Sequence, residues 1–292
     1  MKKIISIDHG NRLIKTEHMV FPAAFVESGH LPAIGSDVLK YQGKVYTLND
    51  KNFPVQMDKT GNENYFILTL FALGKELVDE AKIIRKLTPH DPIRVELLIG
   101  MPIQDYEASR KKYEQYFGNR QGLIPFELNG QAYSVRLTGA HAFPQAYAVA
   151  VTGFGQLRDT RILNIVDIGG FTVDCLQMDK FMPNLSLCTS FYSGVNNLFQ
   201  LINEQSRSTG GRDISSSILE GIIGKDLGVL TDYSEQRIKT VTSAAIAHTE
   251  NMLAEIAQRV LSAATVPRVI ITKIFMSSSA VTGAKISPKP PA

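Results

Sequence analysis

The chain has 292 residues, enough to bury one large or two medium cores. Its 31 Lys and Arg stand against 28 Asp and Glu, a net charge of +3 without long runs of one sign, which leaves little support for nucleic-acid binding by bulk charge. No apolar run nears the roughly 20 residues of a membrane-spanning helix, and the two cysteines, Cys175 and Cys188, have no metal-ligand spacing and no secretory leader ahead of them. Together these features fit a soluble protein of the reducing cytoplasm without a membrane partner.

In chain order, alternation of β-formers predicts strands at 3–8 and 45–48, and helical spacing of apolar residues predicts a helix over 64–85. A strand at 94–99, a helix at 103–117, a strand at 131–137 and a helix at 143–153 follow. Next come strands at 161–167, 171–178 and 185–191, helices at 195–206, 214–223 and 234–263, and a strand at 268–275. The tail "TGAKISPKPPA" is rich in proline and reads as unstructured. The basic run Arg110-Lys111-Lys112 beside Tyr113 and Tyr116 reads as a solvated helix face, with a filament contact as the alternative. The six histidines have no metal spacing and read as surface or core residues.

Two stretches share a pattern. "ISIDHGNRLIKT" is an apolar strand ending on Asp8, followed by Gly10 and Asn11 in a turn and a return toward Lys15. "NIVDIGGFTVDC" repeats it with Asp167, Gly169, Gly170, Thr172 and Asp174. Glycines let a backbone bring N–H groups against an anion, so both are phosphate-loop candidates. Asp8 and Asp167 are predicted to hold hydrated Mg²⁺ through water, because a carboxylate would repel the phosphate itself, and Lys15 to add a point charge. Taken alone, "DHGN" is more often an ordinary hairpin turn. Asp174 reads either as a group polarising a water or as a structural acid. In "YSGVNNLF", Ser193 is predicted to cap a helix and Gly194 to admit a nucleoside, with a plain cap as the alternative.

The two motifs in this order resemble the phosphate loops of the actin and Hsp70-type ATPases. "HMVFPAAFVESG", "LLIGMPIQDYEASRKKYEQYFG" and "SFYSGVNNLFQLINE" resemble bacterial plasmid-segregating actins of the ParM and StbA type more closely, over roughly residues 1–265. The resemblance implies an α/β, actin-like (ribonuclease H-like) fold of two domains with a nucleotide cleft between them. Domain I is expected at 1–155, completed by part of 276–292, and domain II at 156–275. It further implies ATP (or GTP) and Mg²⁺ as cofactors, head-to-tail polymerisation, hydrolysis that destabilises the filament, and DNA segregation through an adaptor protein. "AHAFPQAYAVAVTG" is similar to the connecting helix that carries the catalytic polar residue, and Gln145 stands at that residue's place. An amide orients water but accepts no proton, so a slowly hydrolysing scaffold remains an alternative, as does a small-molecule kinase on the same fold. The family's C-terminal triple-glycine turn is replaced by Ser277-Ser278-Ser279, which bears on the adenine pocket.

Overall fold

The computed structural model describes residues 2–28, 35–49, 58–79, 92–103, 106–120, 122–145, 147, 160–180, 182–208, 210–230, 233–260, 268–273 and 284–285. The chain divides into two compact units, Met1–Gln145 and Ala146–Ala292. Among the described residues no helix is long and apolar enough to cross a membrane.

The first unit is built on a nine-stranded mixed sheet. Strand β1 (Lys2–His9) sends Ile5, Ile7 and His9 to the core at the two-residue period of a strand, which puts Asp8 on the opposite face. It forms an antiparallel hairpin with β2 (Leu13–Lys15) and lies parallel to β7 (Ile93–Met101). The sheet runs from β3 (Val20–Pro22) through β2, β1 and β7 to β9 (Gln131–Pro144) and β8 (Ile124–Leu128). It ends with β5 (Val38–Tyr41), β6 (Lys44–Leu48) and β4 (Phe25–Ser28). Helix α1 (Asn64–Glu76) is buried at every position from Tyr65 to Gly74, as its all-round apolar sequence requires, and packs on β1, β2 and β8. Helix α2 (Tyr106–Gly118) lies on β9 and turns Tyr113 and Phe117 into the core. Its basic residues face outward, where Lys112 meets Asp58 at 2.7 Å and Arg110 meets Glu114 at 3.5 Å.

The second unit repeats the central arrangement of the first. Strand β10 (Ile162–Ile168) is antiparallel to β11 (Val173–Asp179) and parallel to β14 (Arg268–Lys273), as β1 is to β2 and β7. Strands β12 (Met182–Pro183) and β13 (Thr189–Phe191) add to β11, and β15 (Ala284–Lys285) adds to β14. Helices α3 (Val195–Ser208), α4 (Ser216–Gly224), α5 (Leu227–Leu230) and α6 (Glu235–Val260) complete the unit. Helix α6 packs on α3 and α4, burying Val241, Met252 and Ile256 along one face.

Several sequence expectations are corrected here. Phe143 and Pro144 are not the start of a helix but the end of β9, where Met101 lies opposite Pro144, and the Gln145 N–H continues the pairing by donating to the Met101 carbonyl at 2.8 Å. Parallel pairing with a buried strand outweighs the local signal of a proline at a first helical turn. Tyr147 is helical, while 146 and 148–159 lie outside the described residues. The strand expected at 185–191 is a 3₁₀ turn, Leu185–Leu187, followed by β13. Strands β3, β4, β5 and β8 hold three to five residues each, too few for periodicity to register. Ser277, Ser278 and Ser279 lie outside the described residues.

Candidate functional site

Asp8, Lys15 and Gln145 come together in the first unit. Hairpin register puts Asp8 opposite Lys15, whose ammonium donates to Oδ2 at 3.4 Å. The Gln145 amide Nε2 donates to the other oxygen, Oδ1, at 2.6 Å. An amide that spends its N–H on a carboxylate is left with its carbonyl Oε1, an acceptor, at its other corner. Gly100 lies opposite Asp8 on β7. A Cβ at that position would sit 3.4 Å from both Asp8 Oδ1 and Gln145 Cγ, so the glycine makes the approach of the pair unstrained. Of the two predicted turn residues, Asn11 accepts a hydrogen bond from the Tyr65 hydroxyl at 3.0 Å, tying the turn to α1, and Gly10 lies next to it at the end of β1.

Two further residues hold this loop that sequence reasoning missed. His9 is wholly buried, stacked on Phe117 with ring centroids 5.1 Å apart, and its Nε2 lies 2.9 Å from the Thr69 hydroxyl. That hydroxyl donates to the Tyr65 carbonyl, so the ring carries its proton on Nε2 and gives it to Thr69. Burial, and then the nearby Lys59 ammonium, push the imidazole down from 6.5 to about 3. The buried Lys59 donates to the His9 backbone carbonyl and lies 5.2 Å over the Tyr65 ring. The alternation Ile5, Ile7, His9 could have assigned the histidine to the core; nothing local to Lys59 announces its contact, which is made across 50 residues.

In the second unit the loop between β10 and β11 contains Gly169, Gly170 and Thr172. Register sets Asp167 directly opposite Asp174, and both are buried. Asp174 accepts from the Thr172 hydroxyl at 3.1 Å and from the Ser190 hydroxyl of β13. The loop carbonyls are claimed by the chain entering α3. Gly194 N–H donates to Phe171 O at 3.0 Å, Val195 N–H to Gly169 O at 3.1 Å and Asn196 N–H to Gly170 O at 2.7 Å. In a trans peptide the N–H points opposite to the C=O, so the N–H groups of Gly170, Phe171 and Thr172 are turned away from α3.

The cap expected at Ser193 falls one residue later. The Gly194 carbonyl, not Ser193, receives the first bonds of α3, from Asn197 and Leu198. A Cβ on Gly194 would lie 2.5 Å from Phe171 C and 2.7 Å from Gly169 O, so this glycine is required by the close approach of the loop backbone. Ser193 instead accepts from His248 Nε2 at 3.0 Å through its carbonyl, and its hydroxyl lies 3.5 Å from Glu255.

Residues 7–147 match the family model of the N-terminal domain of actin-like proteins. No curated protein matches the chain. Among solved structures, the chain is similar to the archaeal actin homologue Ta0583, with a TM-score of 0.68 and 13% identity over 89% of this chain and 83% of that one. It is similar to a ParM filament from Clostridium botulinum, with a TM-score of 0.64 and 15% identity over 93% and 88% of the two chains. The apo psk41 ParM protein gives a TM-score of 0.61 and 13% identity over 93% and 85%.

Proposed function

Starting from an actin-like fold whose first unit matches an actin-like N-terminal domain, we propose that this protein is a filament-forming nucleoside triphosphatase. It binds ATP (or GTP) with Mg²⁺, assembles head to tail, and moves plasmid or other DNA through an adaptor protein in the cytoplasm. The observation that carries the reading is the repeated hairpin: in each unit an acid, Asp8 or Asp167, is the next-to-last residue of a strand that leads into a loop with the residue types of a phosphate cradle. The archaeal homologue Ta0583 has been solved in complex with ADP, and the Clostridium botulinum ParM as a filament, which supports nucleotide and self as the two partners.

The chemistry follows from the residues. The N–H groups of Gly170, Phe171 and Thr172 in one loop, and Lys15 and the Gly10–Asn11 turn in the other, bind phosphate oxygens. Among the described residues no three His, Cys, Asp or Glu side chains cluster as a metal cage. Mg²⁺ keeps its waters and takes one or two carboxylates plus substrate phosphates. Asp8 suits that role because Lys15 and Gln145 already orient its carboxylate, and Asp167 is its counterpart in the second unit. Bound Mg²⁺ would spread the charge that develops on the phosphates. Gln145 Oε1 accepts a hydrogen bond from the attacking water and orients it, and Asp174 polarises from the second loop. The fixed amide accepts no proton, so turnover is slow.

Sedimentation tests the reading. ATP, or an analogue that resists cleavage, should raise pelleting above a critical concentration, and ADP should lower it, because only the triphosphate engages both loops fully. Equal pelleting in every nucleotide state would replace the filament with a static scaffold. Tight, salt-sensitive DNA binding without an adaptor would overturn the indirect route to DNA.

A further inference from the structure

Helix α6 presents an apolar stripe to its unit, Val241, Ala245, Met252 and Ile256, and His248 lies on that stripe where a hydrophobic residue would be expected. Its contact explains it. The His248 Nε2 lies 3.0 Å from the Ser193 carbonyl, which can only accept, so the ring donates there. Ser193 precedes the three residues, Gly194, Val195 and Asn196, whose N–H groups hold the carbonyls of the second phosphate loop. The same turn is pinned at its other end by the Ser193 N–H, which donates to Phe191 O at 3.1 Å. A shift of the Ser193 peptide therefore passes to Gly194, which is packed so closely that a Cβ there would lie 2.5 Å from Phe171 C and 2.7 Å from Gly169 O.

We propose that His248 is a positioning residue for the second phosphate loop: by holding the Ser193 carbonyl it fixes the α3 N-terminal N–H groups, and through them the direction of the loop's own donors. The inference rests on the nucleotide reading above and adds to it a residue remote in sequence, on a different helix, that sets the grip on the β- and γ-phosphates. It also makes α6 the element through which a disturbance elsewhere in the second unit reaches that grip. His248 touches no nucleotide in this scheme. Gln should replace it, since the Gln Nε2 donor reaches to a similar point, whereas Ala should not.

The experiment compares wild type, His248→Ala and His248→Gln by calorimetric titration with ATP, ADP and AMP, together with amide hydrogen exchange of the nucleotide-free proteins. His248→Ala should weaken ATP and ADP by about tenfold, the worth of one hydrogen bond to the loop's support. AMP, which lacks the phosphates that the loop holds, should bind as before. Exchange at Gly194, Val195 and Asn196 should speed up in His248→Ala and return toward wild type in His248→Gln. Unchanged ATP affinity and unchanged exchange in His248→Ala, an equal loss for AMP, or failure of Gln to restore either readout, would overturn the proposal. If His248→Ala does not fold, His248→Leu, which keeps the bulk and lacks the donor, takes its place in both measurements and against the same outcomes. A wild-type protein that binds none of the three nucleotides would instead sink the nucleotide reading on which the proposal stands.

Discussion

The hairpins β1–β2 and β10–β11 pair in the same frame, each placing its acid opposite the residue seven positions later, but the partner is Lys15 in one and Asp174 in the other. One frame is thus held in two ways. Around Asp8 the ties are side chains from distant segments: Lys15, Gln145, and behind them His9 on Thr69 and Lys59 on the His9 carbonyl. Around Asp167 the ties are main chain, three loop carbonyls gripped by three successive N–H groups at the start of α3. Like charges directly opposite in a hairpin destabilise it, and hydroxyls from Thr172 and Ser190 offset this by donating to Asp174. The difference lies in what ties each loop to the rest of its unit, since both turns contain a glycine fitted to backbone: a Cβ on Gly10 would lie 2.5 Å from Leu13 O, as one on Gly194 would from Phe171 C.

The largest expected effect tests whether the two acids are equivalent despite these settings. Asp8→Ala and Asp167→Ala should each lower Mg²⁺-dependent ATP hydrolysis by about a thousandfold, the scale on which a preorganised electrostatic group acts. Both variants should remain folded by circular dichroism, and wild-type turnover in either would break the pairing of the loops. Next, Gln145→Ala should slow hydrolysis by about a hundredfold through lost water positioning, while ATP binding and pelleting persist. Loss of ATP binding in that variant would make Gln145 a support of Asp8 and nothing more.

A smaller effect contrasts two glycines. Gly194→Ala should cost about 2 kcal/mol in urea unfolding, because its Cβ would meet backbone atoms at 2.5 Å and 2.7 Å. Gly100→Ala should cost less than half as much, since the atoms at 3.4 Å are side chains that can yield. Equal costs would remove the distinction between a glycine confined by backbone and one confined by side chains. A further effect of similar size belongs to the first loop alone. His9 is held neutral down to about 3 when folded, against 6.5 as its ordinary value. As pH falls through that window the unfolded chain takes up a proton that the folded chain refuses, so stability is complete above 6.5 and declines below it. The slope is about 1.4 kcal/mol per pH unit. Denaturant titrations at pH 7 and pH 5.5 should show it, and His9→Gln should flatten it.

Much of the site was legible because its pieces are local. An acid at a strand end and a hairpin that returns a residue seven positions later are contained in a dozen letters, and the likeness of "SIDHGN" to "IVDIGG" pointed to the repeat before any fold was known. Where the reading failed, the deciding partner was far away in sequence. Phe143 and Pro144 look like a helix start until β7 is beside them. Ser193 looks like a cap until Gly194 is seen to receive the α3 bonds. His9 could have been placed by alternation, but its tautomer depends on Thr69, 60 residues away.

By itself the sequence determined the strand periods, the all-apolar helix α1, and the two acid-and-glycine turns, since each depends on side-chain spacing and backbone sterics within one segment. Only the tertiary structure decided that Gln145 turns its amide to Asp8, that Lys59 is buried on the His9 carbonyl, and that Gly194 is a glycine for the sake of Phe171 and Gly169. Those outcomes depend on which donors and which atoms arrive from segments tens of residues apart, and burial makes each arrival decisive, because a polar group removed from water must take the partner that packing brings to it.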